Sequence, residues 1–340
     1  MICLHSFRSI LFALVAGVLT LGCDTGKKDS SSAAAGHAIM APAGEPLKLA
    51  FVSNNASDFW KIAAAGVKKY EHEANIHIDF KIPPTAAVAE QNRILEDLTS
   101  QGYNGLAISV IAPDDQVSEI NSARRKMNVI CQDSDAPKSD RLLYIGTNNY
   151  EAGKVLGQEI VKLLPSGGKM AVFVGTFSAD NARQRLKGIE EAIAGHNIDI
   201  VAKKEDGKDD RKARSNVEDV INGYPDVSLM CGLWSYNGPA IASAIEASGK
   251  KDKIKAAVFD EENDTLKGIE DGTIAVTVVQ KPFQFGYLSS KMLHLLATKG
   301  DEALKDPMIK DGKIDTGVEV INADNVKDFS KRLAELKKTD

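Results

Sequence analysis

From Leu47 onward, short apolar runs alternate with stretches of helical spacing, and this alternation constrains the fold more than any other feature. Leu47–Val52 is a β-type run. Ser57 then stands where a helix N-cap would, and Phe59, Ile62, Ala63, Gly66, Val67, Tyr70 and Ala74 follow at helical spacing. Strand-like Ile76–Phe80 precedes a helix marked by Val88, Ile94, Leu95 and Leu98. Leu106–Ile111, Val129–Cys131, Leu142–Ile145, Met170–Val174, Ile198–Ala202, Ser228–Cys231, Lys255–Phe259 and Ala275–Val279 read as further strands. Between and after them, helices are predicted at Asp115–Lys126, Glu151–Leu164, Asn181–Ala194, Arg211–Asn222, Pro239–Ala247, Asp264–Ile269 and Phe283–Leu296. About ten strands separated by helices require parallel pairing with right-handed crossovers. The class is therefore α/β. A single barrel of about 250 residues and two doubly wound sheets both fit that pattern.

The segment before Leu47 is not part of this alternation. Arg8 precedes a short apolar run, Ile10–Leu21, too short for a comfortable membrane span. A positive start, an apolar middle and a small residue before a cut site predict a secretion signal over residues 1–22. Leu21-Gly22-Cys23 resembles a bacterial lipobox, with Thr20 where Leu is usual. That resemblance implies lipidation of Cys23 and attachment to a bacterial membrane. Residues 24–46 are rich in Ser, Ala, Gly, Lys and Asp, a composition that predicts a flexible tether.

Charge and cysteine content exclude several classes. The chain is 43% hydrophobic and 26% charged with a formal net charge of −5, and the region from Leu47 has no long basic run. Nucleic acid held by phosphate contacts is not expected. Cys131 and Cys231 each end an apolar run and are expected as core residues, unpaired because they fall in different halves. No His/Cys cluster has zinc-ligand spacing, and no cofactor is expected.

In open α/β sheets, ligands bind beyond the carboxyl ends of the strands. The residues found there are Ser53-Asn54-Asn55, Ser109, Asp133-Ser134-Asp135, Gly175-Thr176, Asp206, Trp234-Ser235-Tyr236-Asn237, Asp260-Glu261 and Gln280. Asp, Asn, Gln and Trp dominate this set and Lys is scarce. Asp206–Asp210 reads as a solvated loop.

Four segments, in order, resemble the ribose-binding type of periplasmic solute-binding protein. They are Ala50-Phe51-Val52-Ser53 with Phe59-Trp60, Val129-Ile130-Cys131-Gln132-Asp133, Ala182-Arg183-Gln184-Arg185-Leu186-Lys187-Gly188-Ile189, and Val258-Phe259-Asp260 with Ala275–Pro282. The resemblance spans Leu47 to about Asn322. It implies two doubly wound parallel-sheet lobes joined by a three-strand hinge, with residues 47–147 and 281–310 in one lobe and 148–280 and 311–340 in the other. Such a hinge closes over its ligand, a motion that periplasmic binding proteins illustrate as a class. It also implies a monomer that serves the membrane permease of an ABC-type importer in the periplasm.

A sugar presents hydroxyls at its edge and C–H patches on its faces, so its receptor needs two-headed polar groups and flat rings. The resemblance implies that Asp133, Asp260 and Gln280 hold hydroxyls, with Arg183 as the family arginine. Phe59 and Trp60 are expected as one aromatic wall and Trp234 as the other, with Ser57, Asp135 and Asn237 completing the set. Ser134 and Asp135 follow Asp133 where the ribose pattern has Arg, Ser57 stands where it has one Asn, and Trp234 where it has another. The ligand implied is therefore a pentose, hexose, deoxy sugar or polyol rather than ribose itself. A repressor sharing this core would need an N-terminal helix-turn-helix, where this chain has an export signal. Asp133 with Asp135, or Asp260 with Glu261, could be read as a glycosidase pair, but no nucleophile elbow, P-loop or dinucleotide fingerprint accompanies them. An amino-acid or quorum-signal receptor of the same fold, or a purely sensory one, is the alternative.

Overall fold

The structure, a computed structural model, describes residues 36–85 and 87–337. The expected signal at 1–22, Cys23 and residues 24–35 lie outside the described residues. The first lobe begins with β1 (Leu49–Val52), α1 (Asp58–Ala74), β2 (Ile78–Lys81), α2 (Val88–Ser100) and β3 (Gly105–Ile108). It continues through α3 (Val117–Arg124), β4 (Asn128–Gln132) and β5 (Leu143–Gly146). The second lobe takes α4 (Asn149–Leu163), β6 (Gly168–Val174), α5 (Asp180–Ile193), β7 (Ile198–Glu205), α6 (Asp210–Gly223) and β8 (Val227–Gly232). It then adds α7 (Asn237–Ser248), β9 (Lys255–Phe259), α8 (Asn263–Asp271) and β10 (Val276–Val279). The chain returns to the first lobe with α9 (Pro282–Lys299) and β11 (Lys313–Asp315), and ends in the second with β12 (Glu319–Asn322) and α10 (Val326–Lys337).

The two sheets have matching orders, β2-β1-β3-β4-β5-β11 and β7-β6-β8-β9-β10-β12. Pairing is parallel throughout except for β12, which runs antiparallel to β10. Alternate residues of each strand enter cores on opposite faces. Leu49, Phe51 and Ile130 pack against α1 and α9, while Ala50, Val52 and Cys131 pack with Leu95, Leu98 and Ile120. In the second sheet Phe173, Met230 and Val258 face α6, α7 and α8, and Val172, Cys231 and Phe259 face α4 and α5. Burial on both faces is why these strands read as continuous apolar runs. Cys131 and Cys231 are buried and unpaired in different lobes.

The chain crosses between lobes at 146–149, 279–282 and 315–319. The last crossing lies beyond position 310, where the sequence reading put it, because Lys313–Asp315 pairs with β5 before the chain leaves. Residues 36–42 depart from the tether expectation as well. The amide of Ile39 donates to Asn128 Oδ1 at 2.8 Å, and Asn128 Nδ2 returns a bond to Ile39 O at 2.7 Å. Ala41 N donates to Ala297 O, and Ala38 N to Asp301. Ala38 and Ala41 pack on the first core, so this stretch is docked at the edge where the first sheet's strands begin. The opposite edge, where strands end, carries the polar side chains singled out above.

Candidate functional site

Each sheet delivers one carboxylate from the same topological place. Asp133 is the first residue after β4, and Asp260 the first after β9. Both stand in the left-handed backbone region, with φ of 57° and 67°. Aspartate tolerates that region better than most residues, and there the chain turns sharply off the strand. Ser109 Oγ, at the end of β3, donates to Asp133 Oδ2 at 2.8 Å, and Asn54 Nδ2, beyond β1, bonds Ser109 Oγ at 2.9 Å. Asp260 Oδ1 accepts from Gln280 Nε2 at 3.1 Å, and its Oδ2 lies 3.6 Å from Arg185 Nη1.

Arg185 is 2% exposed. Its Nε donates to Asn149 Oδ1 at 2.9 Å and its Nη1 to Leu233 O at 2.6 Å, while its guanidinium stacks 4.2 Å from the Phe259 ring centre. These contacts fix the fork of donors beside Asp260 before any ligand arrives. Trp234 forms a wall after β8. Its indole Nε1 donates to Asn181 Oδ1 at 3.2 Å and its ring meets Tyr236 edge to face. Tyr236 Oη in turn donates to the buried Asp206 at 2.5 Å. Asp133, Asp260, Arg185, Trp234 and Tyr236, with Phe59 and Trp60 of α1, line a cavity of about 490 Å³ between the lobes, within the ~300–1,000 Å³ range of small-molecule sites. Among the described residues, no His, Cys, Asp and Glu group could hold a metal ion.

Residues 49–302 match the family described as periplasmic binding protein domain. The chain belongs to the periplasmic binding protein family. Its similar proteins include the xylose/arabinose-binding protein XylF of Sulfolobus acidocaldarius, 28% identical over 253 residues, which are 69% of this chain and 60% of XylF. The ribose import binding protein RbsB of Salmonella typhimurium is 28% identical over 193 residues, 56% of this chain and 65% of RbsB. The matched part thus spans 60–65% of these curated relatives. A solute-binding protein of Burkholderia graminis solved with D-arabinose superposes with a TM-score of 0.74 at 30% identity, covering 84% of this chain and 98% of that one. The arabinose-binding protein AraP of Geobacillus stearothermophilus gives 0.75 at 30%, covering 84% and 99%.

In this periplasmic binding protein, Ser57, Phe59, Trp60, Asp133, Trp234 and Asp260 all line the cleft. Ser57 holds the N-cap position of α1, but its side chain makes no cap bond. Trp60 is 2% exposed and packs on Phe51, so Phe59 carries more of that wall. Four expected residues take other places. Arg183 is exposed and bonds Ser178 O and Asp180 Oδ1, because two residues on a helix turn about 200° and 185, not 183, shares the inward face with Ala182, Leu186 and Ile189. Asp135 is tied to Arg141 through Nε and, at 2.7 Å, through Nη2, away from the cavity. Asn237 sits behind Trp234, accepting from its backbone amide at 3.0 Å and donating to Asp206. Gln280 holds Asp260 rather than lining the cleft. The sequence reading also missed Asp206, a buried acceptor rather than a solvated loop residue, and Asn181 and Lys208, which line the cleft. The Ala182/Leu186/Ile189 period would have identified Arg185; nothing in the sequence marks Asp206 as buried.

Burial pushes the Asp133 carboxyl from its ordinary 3.8 up to about 6, against the bond from Ser109 and with the charge of Asp260 adding to it. Burial likewise pushes Glu261, beside Asp260, from 4.5 up to about 8. A carboxyl whose pKa is higher in the folded chain holds its proton longer there than when unfolded. The folded state then binds more protons between the two values, and stability falls as pH rises through them. The ligand-free protein is therefore expected to lose thermal stability across a window from about 4 to about 8. Asp133→Asn should flatten the lower part of that slope and Glu261→Gln the upper. Melting curves at successive pH values check this, and a flat wild-type profile contradicts it.

Proposed function

We propose that this protein is the sugar-capturing component of an ABC-type importer, closing its lobes over a monosaccharide or polyol. The observation that carries this reading is the facing pair Asp133 and Asp260, one from each lobe, with Arg185 between donors and acceptors and Trp234 as a flat wall. Each carboxylate accepts more than one hydroxyl, the guanidinium donates in a fixed fork, and the indole covers a C–H face. The names of the similar proteins, which bind xylose, arabinose or ribose, support a pentose or a close relative. Both acids are held by fixed hydrogen bonds, an arrangement suited to recognition rather than to proton transfer, so the protein is read as a receptor and not an enzyme. In this reading it works as a periplasmic monomer, hands its sugar to a membrane permease and is tethered to a membrane through lipidated Cys23.

Thermal unfolding against a panel of pentoses, hexoses, polyols and amino acids tests the assignment. A ligand at 100 times its Kd should add about 2.7 kcal/mol to stability. The expected result is a rise in Tm with one monosaccharide or polyol that disappears in Asp260→Ala. A rise with amino acids alone would overturn the sugar assignment while keeping the fold.

A further inference from the structure

Two acids of the cleft and a third buried behind it have their partners within the protein. Asp133 is held by Ser109 and Asn54, Asp260 by Gln280 and Arg185, and Asp206 by Tyr236 and Asn237. Glu261 is different. It lines the cavity directly after Asp260, and its Oε2 is shut off from solvent with no hydrogen-bond partner among the described residues. Glu261 as a whole is half-buried, but with one oxygen closed off and unsatisfied its ionised form is disfavoured there. Its charged surroundings are Asp260 and Glu262 from its own segment and Lys337 from α10. The nearest acid therefore repels its charge and Lys337 attracts it, and Arg185 is already engaged by Asn149, Leu233 and Asp260.

We infer that Glu261 is a specificity-determining residue of the cleft, one that presents a protonated carboxyl as a hydrogen-bond donor to an oxygen of the bound sugar. This rests on the sugar-receptor reading and adds a chemical role to it. An aspartate carboxylate accepts hydrogen bonds only, whereas a neutral carboxyl donates one and accepts others. A sugar has oxygens of both kinds to satisfy, because its hydroxyls donate while its ring oxygen only accepts. Arg185 has already given its Nε and one Nη1 hydrogen to Asn149 and Leu233, and what it has left points from one side of the cleft only. Glu261 supplies a second donor beside the hydroxyls that Asp260 takes. The elevated pKa of its carboxyl agrees with that role, and it makes the donor sensitive to pH in a range where sugars themselves do not ionise.

Isothermal titration of the wild-type protein, E261Q and E261A with D-arabinose, D-xylose, D-ribose, D-glucose and D-galactose, at pH 6.5 and pH 9, tests the inference. With a pKa of about 8, about a tenth of Glu261 stays protonated at pH 9, so wild-type affinity for its best sugar should fall about tenfold between the two. E261A should bind about tenfold or more weakly at pH 6.5 and show no such fall. E261Q keeps an N–H donor, so it should lose much less than E261A and should also lose the pH dependence. Melting curves of each variant confirm that it is folded. Wild-type affinity unchanged by pH, or E261A binding as wild type does at pH 6.5, overturns the role of Glu261 and leaves the receptor reading standing. A folded wild-type protein that binds no sugar of the panel at either pH overturns both.

Discussion

Replacing Arg185 with methionine is expected to abolish measurable sugar binding and to destabilise the protein by about 3–5 kcal/mol, the usual cost of removing one partner from a buried ion pair. Methionine preserves much of the side chain's volume, so the loss isolates the guanidinium rather than a cavity. That guanidinium serves the protein and its cleft at once. It satisfies Leu233 O and Asn149 Oδ1, faces Asp260 and stacks on Phe259. Without it, a backbone carbonyl and a carboxylate that is 9% exposed lose their positive neighbour. Arg183→Met, two positions away, removes only exposed bonds to Ser178 and Asp180, and a change of at most about 0.5 kcal/mol with unaltered binding is expected. Arg185→Lys keeps the charge but cannot bridge carbonyl, amide and carboxylate together, so it should fold better than Arg185→Met and still bind poorly. Urea denaturation midpoints and titration with the best sugar of the panel separate the three. Binding retained in Arg185→Met, or lost in Arg183→Met, would contradict the placement of the arginine.

The contrast between those two arginines shows what the sequence could and could not convey. The β–α alternation was legible because strands buried on both faces are runs such as Leu-Ala-Phe-Val at β1, and because each helix exposes one polar side. Asp133 and Asp260 were legible because each directly follows an apolar strand, at the carboxyl end where ligands of such sheets bind. Beyond Leu296 the signal faded. β11 is three residues with a single buried position, β12 has one fully buried residue, and α10 has its apolar residues at Val326, Phe329 and Leu333 within a highly charged stretch. Asp206 is buried by residues far along the chain, Tyr236 and Asn237, so its own neighbours, Gly207, Lys208 and Asp209, suggest a solvated loop. The docking of residues 36–42 depends on Asn128, about ninety positions away, and composition alone does not register so distant a partner. Asp206 and residues 36–42 were missed because their burial is a tertiary partnership, whereas Arg185 was there to be read from the helical period of Ala182, Leu186 and Ile189.

A second large effect is expected at a glycine pair that does not line the cleft. α4 and α5 approach each other through Gly153 and Gly188. A Cβ added at Gly188 would stand 2.1 Å from Tyr150 O, and one added at Gly153 would stand 2.1 Å from Arg185 O. In both cases the obstacle is backbone, so no rotamer change relieves it and the two helices must separate. Overpacking usually costs about 1–3 kcal/mol, and a clash between main chains belongs at the upper end of that range or beyond. Gly188→Ala is therefore expected to lower stability by about 3 kcal/mol or more. Because α5 carries Arg185 and Asn181 into the cleft, its displacement should also weaken sugar binding by at least about tenfold, the effect of a misplacement of roughly an ångström on a pre-organised site. Gly223→Ala, at the end of α6, is the matched control. A Cβ there meets nothing within 4 Å, and the substitution should be neutral or stabilising by up to about 1 kcal/mol through helix propensity. Denaturation midpoints and titrations of the two variants decide the matter. If Gly188→Ala is as stable as Gly223→Ala, the helices are free to slide and do not fix the site. If it is unstable yet binds normally, Arg185 is positioned by Leu233 and Asn149 alone. If stability and affinity fall together, the arginine of the cleft is held in place by two glycines that never meet the sugar.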